Sequence, residues 1–420
     1  MKRSTRSMRL ASVAAASALV LAACGGGDDS DSEDDDASSS RSDGVLTVGA
    51  LLPQTGSLAF LGPPEFAGVD LAIAEINEAG GVLGEDVKGV KADSGDTDSA
   101  IAPSEADKLL DAGSDVIIGA ASSGVSMTVI DKIMNAGTVQ FSPANTSTDF
   151  DTGDYAEPDL YFRTAPSDIL QGAVMSNLLL QDGRQNVAIL ARQDAYGETL
   201  AEEIGKGLEA AGSQVAATVF YGENAQSYDS QVAEIADSGA DAVVLVAFEE
   251  TTTIIPQLVQ ANAGPQDLPT YFVDGNTADY SDKLPEGILE GTKGTIPGAE
   301  AAGDFRDRLL EIDPDLTDFA YAGESYDAVV VSALAAIAAD TDAGDKIAEN
   351  IVDVTTEGTK CTSFSECADL LADGEDIDYD GVSGPIELGE TGSPTAASIG
   401  VYEYGADNTY EPLEYVSGNI

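Results

Sequence analysis

Residues Gly49 to Gly84 read GALLPQTGSLAFLGPPEFAGVDLAIAEINEAGGVLG. The stretch opens inside an apolar run of β character, LTVGALL from Leu46, and then crosses a loop marked by proline and glycine. From about Pro64 to Asn77 it places Phe66, Val69, Ile73 and Ile76 on one helical face. A strand followed by an amphipathic helix is the first half of a βαβ unit.

The same rhythm runs on in both directions of the argument. A strand is expected near Val87 to Ala92, a helix near Ser99 to Asp111, a strand over Val116 to Gly119, a helix over Val125 to Ala136 and a strand over Val139 to Ser142. This alternation predicts a parallel, doubly wound sheet. A second series starts after Arg163: helix Ser167 to Leu180, strand Asn186 to Ala191, helix Tyr196 to Ala211, strand Gln214 to Val219, helix Tyr228 to Asp237 and strand Ala242 to Ala247. Beyond the strand Pro269 to Val273 and the segment Thr292 to Pro297, helices are expected near Gly303 to Ile312 and Ser325 to Ala339, with short strands and turns from Pro385. Two open sheets in one chain suggest paired lobes, with a ligand held where strand ends face a common cleft.

Composition narrows the function. The formal charge of -56 excludes nucleic acid as a partner. It favours neutral, zwitterionic or cationic ligands over anions, although salt screens such fields over about 8–10 Å. Histidine is absent from the chain, which removes Ser-His-Asp, Cys-His and HExxH arrangements and disfavours hydrolytic enzymes. No cofactor and no metal site is expected.

The N-terminus carries Lys2, Arg3, Arg6 and Arg9, then an apolar run from Ala11 to Ala23 that is too short to span the roughly 30 Å of a bilayer core. It reads as a secretory signal over residues 1–23. Leu21-Ala22-Ala23-Cys24 resembles the bacterial lipoprotein processing site, which implies that Cys24 is lipidated; an ordinary signal peptide containing a cysteine is the alternative. Residues 24–43, rich in glycine, serine and aspartate, cannot bury enough apolar surface to fold and are expected to form a flexible leash. With Cys24 lipidated, Cys361 and Cys367 remain as an even pair in an exported protein, where a disulfide is expected.

Taken in order, several segments resemble the branched-chain amino-acid-binding (Leu/Ile/Val-binding) proteins of ABC importers, whose fold is the type I periplasmic-binding-protein fold. Besides Gly49 to Gly84 these are IIGAASSGVS from Ile117, FSPANTST from Phe141, YFRTAPSD from Tyr161, QDAYGETLAEEI from Gln193, ESYDAV from Glu324 and GVSGPIEL from Gly381. The resemblance spans nearly everything from Val45 to Tyr404. It implies an α/β protein of two doubly wound, Rossmann-like lobes joined by three crossovers, near Thr164, Ile296 and Ile399. Lobe one would comprise 44–164 and 297–398, and lobe two 165–296 and 399–420.

The resemblance also implies a ligand site. Ser122 and Ser123 precede a helix whose N-terminus suits a carboxylate, with Ser123 the favoured ligand; helix capping is the competing role. Ala144 and Thr146 would offer a carbonyl and a hydroxyl, although a threonine there also stabilises turns. Asp274 would pair with the ligand's ammonium, while the neighbouring Gly275 competes for the matched position and an Asp-Gly pair is also a turn signal. Tyr196 would line the cleft from lobe two or pack against the sheet. Phe60 and Phe248 stand where the family commonly has tyrosine, keeping an aromatic wall without the hydroxyl. Glu249 and Glu250 could select a cationic or amide ligand, or be solvated. The implied function is an extracytoplasmic, lipid-anchored and monomeric capture protein for a small zwitterionic amino acid, delivering it to an ABC permease in the cytoplasmic membrane without catalysis. A sensor subunit for an amide, urea or another small organic solute is the alternative.

Overall fold

The computed structural model describes residues 42–420 apart from 98, 153, 154, 156–159, 224 and 302. The signal, Cys24 and most of the leash lie outside the described residues. The chain enters its folded part through a clamp: the Asp342 carboxylate accepts from the backbone N–H groups of Asp43, Gly44 and Val45 and from the Ser42 hydroxyl.

Strand β1 (Thr47–Leu52) is buried along its whole length, as a strand covered on both faces must be. Helix α1 (Gly62–Glu78) follows, with Pro63 in its first turn, where a missing N–H leaves no bond unmade. Strand β2 (Lys88–Asp93), helix α2 (Ala102–Asp111), strand β3 (Val116–Gly119), helix α3 (Ser123–Asn135), strand β4 (Val139–Ser142) and strand β5 (Tyr161–Arg163) complete the first series. The five strands form one parallel sheet in the order β2-β1-β3-β4-β5.

The second series is helix α4 (Asp168–Gln181), β6 (Asn186–Arg192), α5 (Ala195–Ala210), β7 (Gln214–Tyr221), α6 (Asp229–Asp237), β8 (Ala242–Val246), α7 (Thr251–Gln260), β9 (Thr270–Phe272) and β10 (Lys293–Pro297). The chain then returns to pack helices α8 (Gly303–Ile312) and α9 (Ala322–Ala339) on α1, followed by α10 (Gly344–Ile351), β11 (Thr359–Cys361), α11 (Phe364–Ala372), β12 (Ile377–Gly381) and β13 (Gly384–Pro385). Strands β14 (Ala396–Tyr404) and β15 (Tyr410–Asn419) finally join the second sheet as an antiparallel hairpin, in the order β15-β14-β10-β9-β8-β6-β7.

Two open sheets thus make two lobes, and the chain passes between them after Arg163, after Pro297 and between Pro385 and Ala396. The last passage comes slightly earlier than the Ile399 suggested by sequence, because β14 already pairs from Ala396. At the crossovers the Thr164 hydroxyl donates to the Glu324 carbonyl at 2.9 Å. Helix α9 is apolar enough to cross a membrane by composition, yet it is buried on nearly all sides in the core of lobe one, which explains its lack of a polar face. The Cys361–Cys367 disulfide is formed and ties β11 to α11.

Three segments depart from the sequence reading. Helix α7, the α10 to β12 region and the length of the β14–β15 hairpin were not anticipated by periodicity, and the tail that reads as short strands is a long two-stranded ribbon.

Candidate functional site

The cleft is assembled from strand ends. After β3 the chain turns through Ala120 and Ala121 into α3, and Ser122 is the helix cap, its Oγ accepting from the Val125 N–H at 3.4 Å. Capping by Ser122 leaves Ser123 as the first helical residue, two positions earlier than the pattern suggests. Its hydroxyl accepts from the Ser147 N–H at 3.4 Å. The N–H groups of a first helical turn have no partner within the helix, so this end of α3 is a ready acceptor of negative charge.

After β4, the loop Pro143 to Ser147 is held rigid. Ser142 Oγ donates to the Ala120 carbonyl at 2.7 Å, Asn145 Nδ2 to the Ala121 carbonyl at 2.8 Å, and Arg163 Nη1 to the carbonyls of Asn145 and Ser147 at 3.2 and 2.9 Å. This fixes Ala144 at the pocket wall. Thr146 is buried behind it, its hydroxyl beside the Asp168 carboxyl and its carbonyl accepting from the Asp168 N–H at 2.7 Å.

Lobe two contributes an aromatic shelf. Phe248, just beyond β8, stacks on Tyr196 with ring centroids 5.4 Å apart and an interplanar angle of 19°. The Arg192 guanidinium lies 3.6 Å from the centre of the Phe248 ring and is itself neutralised by Asp194 and Glu250. Gly275 is needed here, since a Cβ at that position would stand 2.7 Å from the Phe248 ring.

Asp274 is the focus of the site. Its Oδ1 accepts from Tyr196 Oη at 2.6 Å and Gln171 Nε2 at 2.9 Å, and its Oδ2 from Tyr321 Oη at 2.8 Å. Tyr321 belongs to lobe one, so this last bond spans the cleft. Burial pushes the Asp274 carboxyl above its ordinary range, while these three donors pull it back. No ion pair to Asp274 is formed among the described residues, so a buried carboxylate stands with hydrogen bonds but no counter-charge.

The pocket enclosed between the lobes is lined by Ser122, Ser123, Ala144, Tyr196, Phe248 and Asp274, all expected from sequence, together with Leu58, Leu61, Ala121, Gly275 and Tyr321. Two expected residues do not line it. Thr146 lies behind the wall, and Phe60 packs beside the pocket, against the cluster that holds Leu58, Leu61, Tyr196, Phe248 and Tyr321 and against a second cluster of lobe two. The loop is tightly turned, with the Leu61 N–H bonded to the Leu58 carbonyl, and Leu58 and Leu61 line the pocket. Glu249 and Glu250 are occupied elsewhere, by Lys283 at 2.9 Å and by Arg192 at 2.9 Å. Gln171 and Tyr321 carry no local sequence signal and were missed. The remaining free space is about 10 Å³, room for roughly one water, so an organic ligand can enter only when the lobes part.

Two doubly wound lobes closing on a small buried pocket, with an uncompensated carboxylate facing a helix N-terminus, define a two-lobed solute-binding protein. The family model described as periplasmic binding protein matches residues 45–402, and the chain belongs to that family. Among curated relatives it is 30% identical over 296 residues to the Leu/Ile/Val-binding protein homolog 2 of Brucella abortus (strain 2308), covering 66% of this chain and 76% of that one. It is 26% identical over 370 residues to the leucine-specific-binding protein of Salmonella typhimurium, covering 87% and 91%. A solved leucine binding protein from Thermotoga maritima shares the fold with a TM-score of 0.71 at 21% identity, over 89% of this chain and 99% of that one. The family is one of periplasmic binding proteins, and both curated relatives are named as binding proteins.

Proposed function

We propose that the chain is the capture component of an ABC importer, binding a small zwitterionic amino acid with a branched aliphatic side chain. The observation that carries this reading is Asp274: a buried carboxylate, fixed by three donors and lacking a counter-charge among the described residues, asks for a ligand cation. The α3 N-terminus with Ser122 and Ser123 supplies the opposite pole for a carboxylate. Leu58, Leu61 and Phe248 supply an apolar wall. The curated relatives are named for leucine, isoleucine and valine, which fits that wall.

Binding is a closure. Lobe one carries the carboxylate pole and lobe two the ammonium pole, so only a ligand with both charges stabilises the closed state over the open one. No bond is made or broken. The signal and lipobox over residues 1–24 would leave the protein on the outer face of the cytoplasmic membrane through lipid on Cys24. Replacing Cys24 with alanine then moves the protein from membranes to the soluble fraction, and a Cys24→Ala protein that still sediments after carbonate washing removes the anchor.

The ligand reading is tested by calorimetry with leucine, 4-methylpentanoate, which lacks the ammonium, and isopentylamine, which lacks the carboxylate. Leucine binds and both analogues bind at least a hundredfold more weakly. Equal affinity for 4-methylpentanoate would place the ammonium outside the recognition scheme and defeat the assignment of Asp274.

A further inference from the structure

A second cavity, of about 430 Å³, lies where the α8–α9 loop of lobe one meets the β14–β15 hairpin of lobe two. Its size falls in the range of about 300–1,000 Å³ typical of small-molecule sites. Its lining holds five carboxylates and a single guanidinium, Arg306. That guanidinium lies 4.4 Å from the centre of the Phe319 ring.

The decisive group is Glu324. It is 5% exposed, and its carboxylate accepts no hydrogen bond from any other described residue. It lies against Gly298, another residue of the same wall: a Cβ at Gly298 would stand 2.4 Å from Glu324 Oε1. Burial pushes the Glu324 carboxyl up to about 8, with Asp327 adding to the effect. Burial at this depth keeps the carboxyl largely protonated near neutral pH, and a cation arriving beside it draws the proton off.

The opposite wall is aromatic. Tyr402 stands edge-to-face with Tyr410, with centroids 5.3 Å apart at 87°, and with Tyr415, at 6.2 Å and 80°. All three tyrosines line the cavity, and the face of an aromatic ring attracts an alkylammonium ion through cation–π attraction. Tyr410 also donates to Asp318 at 3.1 Å, holding a second carboxylate at the rim of the cage.

We infer that this cavity is a binding site for a small organic ammonium ion, distinct from the amino-acid cleft, with Glu324 as counter-charge and the tyrosines of the hairpin as cage. Tyr321 borders both spaces, its hydroxyl on Asp274 in the cleft and its ring on the second cavity. Both lobes furnish the walls, so an occupant bridges them.

The test is calorimetry of the purified protein with choline and with its neutral isostere 3,3-dimethylbutan-1-ol. Choline binds, and the alcohol binds at least tenfold more weakly. Glu324→Gln, which keeps the shape, and Tyr415→Leu, at the half-exposed edge of the cage, each weaken choline at least tenfold, while saturating leucine does not displace it. Should Glu324→Gln fail to fold, Tyr415→Leu carries the result. The inference is overturned by absence of choline binding, by equal affinity for the alcohol, by folded variants that bind choline as the parent does, or by displacement of choline by leucine, which would put the cation in the amino-acid cleft.

Discussion

At the scale of single residues, the site rests on Asp274 and on the tyrosine that reaches it from the other lobe. Changing Asp274 to asparagine keeps the shape but removes the charge facing an ammonium, a loss of roughly 2–4 kcal/mol for a desolvated pair. Affinity for the cognate amino acid should fall about 30-fold or more. Ser123→Ala should cost less, because the first-turn N–H groups of α3 still hold the carboxylate. Calorimetry ranks the two, and a reversed order relocates the ammonium partner. Tyr321→Phe deletes the hydrogen bond that crosses the cleft to Asp274 at 2.8 Å. A hydrogen bond to a charged group contributes about 1.5–3 kcal/mol, so closure weakens and the ligand dissociates about tenfold faster or more, measurable by stopped flow. Unchanged release would mean that this bond persists in the open form or is replaced. The strand-end residues Ser122, Ser123, Ala144, Phe248 and Asp274 could be read from sequence because an open α/β sheet gathers ligand contacts at those positions. Tyr321 and Gln171 could not, since they reach Asp274 from other elements with long stretches of chain between. Phe60 stands one layer outside the pocket lining, against the cluster that contains Tyr196 and Phe248.

Among the elements, those with clean periodicity were legible: β3, β4 and α8 occupy the very residues their patterns suggest. Helix α7 was not, because TTTIIPQLVQ sets a β-branched run and an interior proline against a helix. Burial of Ile254, Ile255 and Leu258 in lobe two overrides that local preference. The β14–β15 ribbon hid for a different reason. Its outer strand is an edge carrying Glu411, Glu414 and Pro412, residues that a sheet tolerates only where one side is free. The β11–α11 unit is stapled by Cys361–Cys367, both buried in the core of lobe one. Its loop is short, so loop-closure entropy gives the staple roughly 2–2.5 kcal/mol at most. Denaturant titration with and without reductant should show a loss no larger than that, with two thiols alkylated only after reduction. Free thiols in the native exported protein would eliminate the staple.

For the whole molecule, charge and burial make a joint statement about pH. Burial pushes Asp115 up to about 7, with Asp342 and Asp43 adding to it and the Thr47 N–H opposing. Burial likewise pushes Asp168 up to about 7, against the Thr199 hydroxyl and with help from Asp274. An unfolded chain would release these protons near the ordinary carboxylate value of about 4. At these two sites the folded state binds protons more tightly, and the stability they contribute is fully present below about pH 4 and lost progressively as pH rises towards about 7. Relief of self-repulsion in a chain of formal charge -56 acts in the same direction. The thermal midpoint should be higher at about pH 5 than at about pH 8, and Asp168→Asn should flatten the difference. A midpoint that falls on acidification over that range would contradict both causes. The clamp at Asp342 has a mechanical meaning as well. Three backbone N–H groups and the Ser42 hydroxyl bind one carboxylate on lobe one, so any load applied to the chain ahead of Ser42 is delivered to that lobe alone. Lobe one is thus the jaw held directly by the chain ahead, and lobe two feels such a load only through the three crossovers and the contacts across the cleft.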